Sequence, residues 1–216
     1  MNNVFYNNKL LTGVNQAAIS LKEEASKIME FQGNTRGEML AANINYIEFR
    51  EGKESVAYIE RKLEELGFPV TIRKFKALKW YPESLSVLIV MVAREIFNWA
   101  DQDIFDMGNA APKSSLVVQL LMRHFFSSRK SFEAMPKYWR SNFDFGELEA
   151  FGFDEEKKSF VIRINGYKFH PIMCIYYAGY FLRIAQFIIK SPKIEIEEKK
   201  CAYGNGSYHE YEIKWQ

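Results

Sequence analysis

Residues 143–166 read "FDFGELEAFGFDEEKKSFVIRING". Before this stretch apolar residues recur every three or four positions, and within it the period changes. Phe143, Phe145, Leu148 and Phe151 alternate with polar or small residues. The turn-like "DEEKK" follows, and then "SFVIRING". Two runs of period near two about a polar turn predict a β-hairpin. Outward from it on the C-terminal side, residues 171–190 form one apolar helix, with Pro171 suited to its first turn. After it, "KIEIEEKKCAYG" and "SYHEYEIKW" flank a Gly-Asn-Gly-Ser turn and predict a second hairpin, residues 193–215. Helices, two strands, one helix and two strands in that order make an α+β domain with an antiparallel sheet.

On the N-terminal side the pattern is helical. Residues 2–34 carry a weak helical period closed by Gly33 and Asn34, and divide off as an N-terminal helical arm (1–34) before one domain (35–216). A helix from Thr35 places Met39, Leu40, Ile44 and Ile47 on one face and stops at Gly52. The next carries Val56, Ile59, Leu63 and Leu66 and stops at Gly67 and Pro69. "VTIRKFKALKWYP" is extended or irregular. Pro82 opens a helix apolar nearly all round, hence buried. Residues 103–127 form one or two helices broken near Pro112, and 132–141 a short one. Ala178 and Gly179, mid-way along the last helix, permit close approach of another element.

The composition excludes several classes. A chain of 216 residues with 48% hydrophobic residues builds a substantial core, which excludes disorder throughout. A net charge of +2 gives no reason to expect nucleic acid. Two cysteines are too few for a secreted disulfide scaffold, and the N-terminal residues lack the pattern of a signal peptide, so a cytoplasmic location is expected. Residues 172–189 approach a membrane-spanning length, but Arg183 and Gln186 interrupt them, and a buried helix is expected in place of a span.

Motifs of catalysis are missing. There is no phosphate-binding Gly-rich loop, no His-Glu-x-x-His and no Gly-x-Ser-x-Gly. Three histidines, His124, His170 and His209, leave little for acid–base chemistry, and no enzyme is expected. Arg123, His124, Arg129, Lys130, Lys137 and Arg140 lie among Phe125, Phe126, Tyr138 and Trp139. Such interleaving can bind single strands, but on helices it more simply makes a solvated face beside a core face.

Three strings carry a resemblance: "GEMLAANINYIEFREGKESVAYIERKL", "ALKWYPESLSVLI" and "CAYGNGSYHEYEIKW". Over about residues 35–215 the chain resembles a myxobacteria-rich family of uncharacterised bacterial proteins related to the 4-vinyl-reductase-type sensor domain. That superfamily includes the heme–nitric oxide binding domains and the Bet-type subunits of the TRAPP complex. The resemblance implies a helical layer packed on a four-stranded antiparallel sheet, a homodimer, and an apolar cavity. It also implies a non-enzymatic domain that senses an apolar small molecule, or else a scaffold module that binds protein partners and no ligand.

In phenol-sensing relatives a Cys-Glu-Cys-Cys set holds zinc. Carried over, the resemblance puts these ligands at Cys174, Glu198 and Cys201, with His209 where the family has its last cysteine. Zinc accepts thiolate, carboxylate and imidazole, so the exchange keeps a competent set. In a regular strand Glu198 and Cys201 would point to opposite faces, so a shared site requires a bulge or turn between them. The alternative is a core thiol at Cys174, a strand-end cysteine and a surface histidine. Heme is not expected, because the Tyr-x-Ser-x-Arg string of the heme–nitric oxide domains is missing. A ligand pocket between helices and sheet is expected to use Phe97, Trp99, Phe125, Trp139, Tyr176 and Tyr180.

Overall fold

The computed structural model describes residues 20–114, 128–204 and 206–216. The chain is α+β, with helices packed on a four-stranded antiparallel sheet, as expected. Strands β3 (Glu147–Asp154), β4 (Ser159–Asn165), β5 (Ile194–Lys200) and β6 (Tyr208–Trp215) lie in the order β3-β4-β6-β5. β4 pairs with β6 from Ser159 opposite Lys214 to Asn165 opposite Tyr208, which joins the two hairpins through their second strands. Period-two alternation sets the faces. Phe160, Ile162 and Ile164 of β4 and His209, Tyr211 and Ile213 of β6 are buried, while the residues between them are partly exposed.

Eight α-helices are described: α1 (Leu21–Met29), α2 (Gly37–Glu51), α3 (Ser55–Glu65), α4 (Glu83–Phe97), α5 (Asp101–Ser114), α6 (Ser128–Glu133), α7 (Met135–Asn142) and α8 (Ile172–Ile188). α8 packs on β5 and β6 and also on α5, so it is the middle layer. Its nearly unbroken apolar sequence follows from that position, with Cys174, Tyr176, Ala178 and Leu182 all buried. Among the described residues no helix is long and apolar enough to cross a membrane. α5 and α8 meet backbone to backbone. A Cβ built on Gly179 would stand 2.0 Å from the Phe105 carbonyl oxygen, and one on Gly108 would stand 1.9 Å from that of Tyr176. The close approach expected at Gly179 is therefore real, and Gly108 is its counterpart.

Several local expectations change. The helix expected from Thr35 begins at Gly37, because Thr35 and Arg36 lie in β1 (Asn34–Arg36), paired with β2 (Trp80–Pro82). Pairing with Tyr81 and Trp80 holds Thr35 and Arg36 extended, and the Gly37 amide, which has no acceptor within the helix, donates to the Lys79 carbonyl at 2.8 Å. α5 continues through Pro112, where the missing N–H removes one ladder bond near the end of the described segment. The short helix expected over 132–141 is two helices, since Pro136 fits the first turn of α7 and starts it afresh. Phe143 and Phe145 precede β3, and Phe151 is on its outer face, 39% exposed beneath the Arg163 guanidinium. Residues 1–19, 115–127 and 205, and with them parts of the expected arm, of the helices expected over 103–127 and of the Gly-Asn-Gly-Ser turn, lie outside the described residues.

Candidate metal centre

The inner face of the sheet is apolar except at one end. In β5 the buried positions are Ile194 and Glu198, and in β6 they are His209, Tyr211 and Ile213. A carboxylate and an imidazole thus take places that alternation reserves for the core. The pairing of β5 with β6 shifts register between Glu198 and Lys200, and Cys201 follows directly after the strand. The irregularity the ligand set required is present, and it turns Cys201 to the side of Glu198. Cys174, in the first turn of α8, arrives from the layer above.

Cys174, Glu198, Cys201 and His209 converge. Their donor atoms lie within 4.8 Å of one another, and all four residues are buried. Cys174 Sγ is 3.5 Å from Cys201 Sγ and 3.5 Å from His209 Nδ1, and Nδ1 is 3.3 Å from Glu198 Oε1. The other ring nitrogen, Nε2, donates to the Tyr167 carbonyl at 2.9 Å. That bond fixes the ring and aims Nδ1 into the cluster, as outer-shell partners do for metal-bound imidazoles. The Ala202 amide also reaches Nδ1, at 3.4 Å. The Tyr211 hydroxyl, donating to the Cys174 carbonyl at 3.2 Å, ties the α8 terminus to β6.

The electrostatics are those of a strongly coupled set. The Cys201 thiol is held down to about 4, chiefly by its hydrogen bond from Cys174 and, against burial, by His209. Burial pushes the Cys174 thiol well up, reinforced by Cys201 and Glu198. For His209 burial opposes the charged form, but Cys201 and Glu198 outweigh it and raise the imidazole to about 9. Within this cluster the buried Cys201 and Glu198 favour positive charge, which the protonated His209 imidazole supplies. Two sulfurs, one nitrogen and one carboxylate oxygen are the donors of a closed tetrahedral site, which leaves no position for a reacting water.

The residues expected to line a ligand pocket divide. Tyr176 and Tyr180 lie on α8, and Trp139 of α7 packs against that helix at Tyr177, 5.7 Å away. Trp139 also stacks on Phe143 at 4.2 Å, and the Tyr180 hydroxyl donates to that of Tyr138 at 2.9 Å. Phe97 and Trp99 lie together at 5.9 Å, beside Tyr46 and the Arg50 guanidinium. Phe125 lies outside the described residues.

A second polar cluster went unread in the sequence. Glu83, at the start of α4, is fully buried, and its Oε1 accepts from the Tyr167 hydroxyl at 2.7 Å. Burial raises its carboxyl to about 8, against the hydroxyls of Tyr167, Thr35 and Tyr177. Nearby, Tyr176 donates to Asn43 Oδ1 at 2.7 Å. The signal was hidden because an acid in the first turn of a helix has an ordinary surface explanation.

No protein-family model matches the chain, and no curated protein matches it by sequence. Solved structures do share its fold. An H-NOX protein from S. oneidensis in the Fe(II)NO ligation state matches at 13% identity and a TM-score of 0.63, over 84% of this chain and 99% of its own. An oxygen-binding H-NOX domain related to soluble guanylate cyclases matches at 12% and 0.60, over 84% and 95%. A structure solved in work on modulating heme redox potential through porphyrin distortion matches at 12% and 0.59, over 83% and 99%. These neighbours correct the expectation that set heme aside: the missing Tyr-x-Ser-x-Arg string does not separate this chain from a fold that houses heme. They lend the zinc expectation no support, and the case for a metal rests on donor geometry alone. Among the described histidines, His209 is committed to the donor cluster, and His170 accepts from the Ile172 amide at the α8 terminus. His124 lies outside the described residues. At identities this low the likeness is one of architecture, and the chain has the fold of the H-NOX domains.

Proposed function

We propose that the chain is a non-enzymatic small-molecule sensing domain. In this reading Cys174, Glu198, Cys201 and His209 hold one divalent transition-metal ion that locks the β5–β6 hairpin to α8. The observation that carries it is the convergence of the four buried donors within 4.8 Å of one another. Two come from the hairpin's inner face, one from the residue after β5 and one from α8, so an ion there joins the middle layer to the sheet. The fold, shared over 84% of the chain with an H-NOX protein in an Fe(II)NO ligation state and with an oxygen-binding H-NOX domain, supports the sensing role. The apolar ligand would contact Tyr176 and Tyr180 of α8 and Trp139 of α7, an aromatic group that adjoins the metal-bearing helix turn.

Native mass spectrometry of the purified chain beside its denatured mass tests the reading. One metal ion per chain is expected, lost on Cys201→Ser, and a titration with hemin and with small phenols should show saturable binding of one of them. The homodimer that the resemblance implies is read in the same spectrum. A mass equal to the bare polypeptide, unchanged by added zinc or cobalt and with no ligand retained, would sink both the metal and the sensor.

A further inference from the structure

Residues 72–82, "IRKFKALKWYP", connect α3 to α4 through a single 3-10 turn (Ile72–Lys74), a loop and β2. The loop is firmly held. The Gly37 and Glu38 amides donate to the Lys79 and Ala77 carbonyls at 2.8 and 3.0 Å, and the Lys76 amide donates to the Tyr81 hydroxyl at 2.9 Å. Arg36 Nη1 donates to the Leu78 carbonyl at 2.6 Å. A Cβ on Gly37 would meet the Lys76 carbonyl oxygen at 2.3 Å, so the loop lies directly on the start of α2.

What this fixed loop displays does not serve the core. Leu78 is 79% exposed and Trp80 is 39% exposed, and Arg73, Lys74, Lys76 and Lys79 are exposed around them. Arg73 is paired with Glu48 at 3.0 Å, while Lys74, Lys76 and Lys79 make no ion pair among the described residues. An ordered leucine and tryptophan amid unpaired lysines combine the two signals that reversible membrane docking needs, an apolar wedge and a basic collar. Tryptophan favours the headgroup level, and lysine stems can lie along acyl chains while their ammonium groups reach phosphate.

We propose that residues 74–80 form a docking tip for an anionic lipid surface, with Leu78 and Trp80 entering the headgroup boundary and Lys74, Lys76 and Lys79 contacting anionic headgroups. Nucleic acid fits less well. Single-strand binding needs a run of open aromatic faces on which successive bases stack, but the Arg36 guanidinium occupies one face of the Trp80 ring at 3.9 Å and leucine offers none. The proposal is independent of the metal and sensor readings.

The full chain should sediment with vesicles of phosphatidylcholine and phosphatidylglycerol in equal parts and not with phosphatidylcholine alone, and binding should weaken as salt rises. Leu78→Glu and the triple change Lys74→Glu, Lys76→Glu, Lys79→Glu should each reduce partitioning by roughly tenfold or more. Both alter exposed side chains, so an unchanged circular dichroism spectrum and melting temperature verifies the fold. Equal sedimentation with neutral vesicles, none with anionic ones, no effect of Leu78→Glu, or tighter binding to single-stranded DNA than to anionic vesicles would each overturn the proposal.

Discussion

At the scale of the residue, the two buried carboxylates behave oppositely. Glu198 lies with an imidazole and two sulfurs, all four donor atoms within 4.8 Å of one another. Glu83 faces tyrosine hydroxyls and stays protonated to about pH 8, so it acts as a neutral hydrogen-bonding group. Its effect on stability has a definite sign. The folded chain keeps the Glu83 proton up to about 8, whereas the unfolded chain releases it near the ordinary 4.5. Folded protein therefore binds more protons in that window, and stability falls as pH rises from 4.5 to 8 and then levels off. Glu83→Gln keeps a neutral acceptor and should flatten this slope. Chemical denaturation of both proteins between pH 5 and pH 9 measures it, and parallel curves would refute the assignment. The comparison between the two proteins matters because His209, raised to about 9, contributes a fall of its own in metal-free protein.

At the scale of the element, α8 owes its place to what it lacks at one position. Gly179 lets the α5 backbone come within contact, and Asn109 of α5 then donates to the Gly179 carbonyl at 3.1 Å. Because the obstructing atom is a backbone oxygen at 2.0 Å, no side-chain rotation relieves it. Gly179→Ala should cost roughly 2–3 kcal/mol or more, as overpacking of a rigid contact does, despite the better helix propensity of alanine. Urea denaturation reads this directly, and a stabilised variant would show that the two helices separate easily. Gly67→Ala is the matched control: its Cβ would meet nothing within 4 Å, although its φ of +94° adds backbone strain.

At the scale of the whole molecule, the metal centre would join layers that otherwise share apolar contacts and the hydrogen bond from the Tyr211 hydroxyl to the Cys174 carbonyl. α8 already packs on α5 and on both strands of the C-terminal hairpin. An ion bound by all four donors stabilises the folded chain by mass action, by about 2.7 kcal/mol when free metal is a hundredfold above its dissociation constant. For a chain of this size that corresponds to a rise of about 5–10 °C in Tm. Chelation should reverse the gain, and hydrogen exchange should then quicken in β5 and β6 before it does in α4, whose burial does not depend on the site. Unaltered exchange in the hairpin after complete metal removal would show that the ion, if bound, carries no structural load.

The sequence by itself determined the class and order of elements, because period two and period 3.6 are local properties and "FDFGELEAFGF" cannot satisfy both. It also made the four donor residues legible, but only through a resemblance that named their positions. Their convergence was decided by a register shift after Glu198 and by the packing of α8 on β6, and neither leaves a local mark. Thr35 and Arg36 fit the opening of a helix until β2, some forty residues on, claims their backbone. Glu83 looks like a surface acid until Tyr167 and Tyr177 close over it. Tertiary structure alone decides such cases, because a backbone amide or a carboxylate takes whichever partner the folded chain brings near, and that partner can lie anywhere along the sequence.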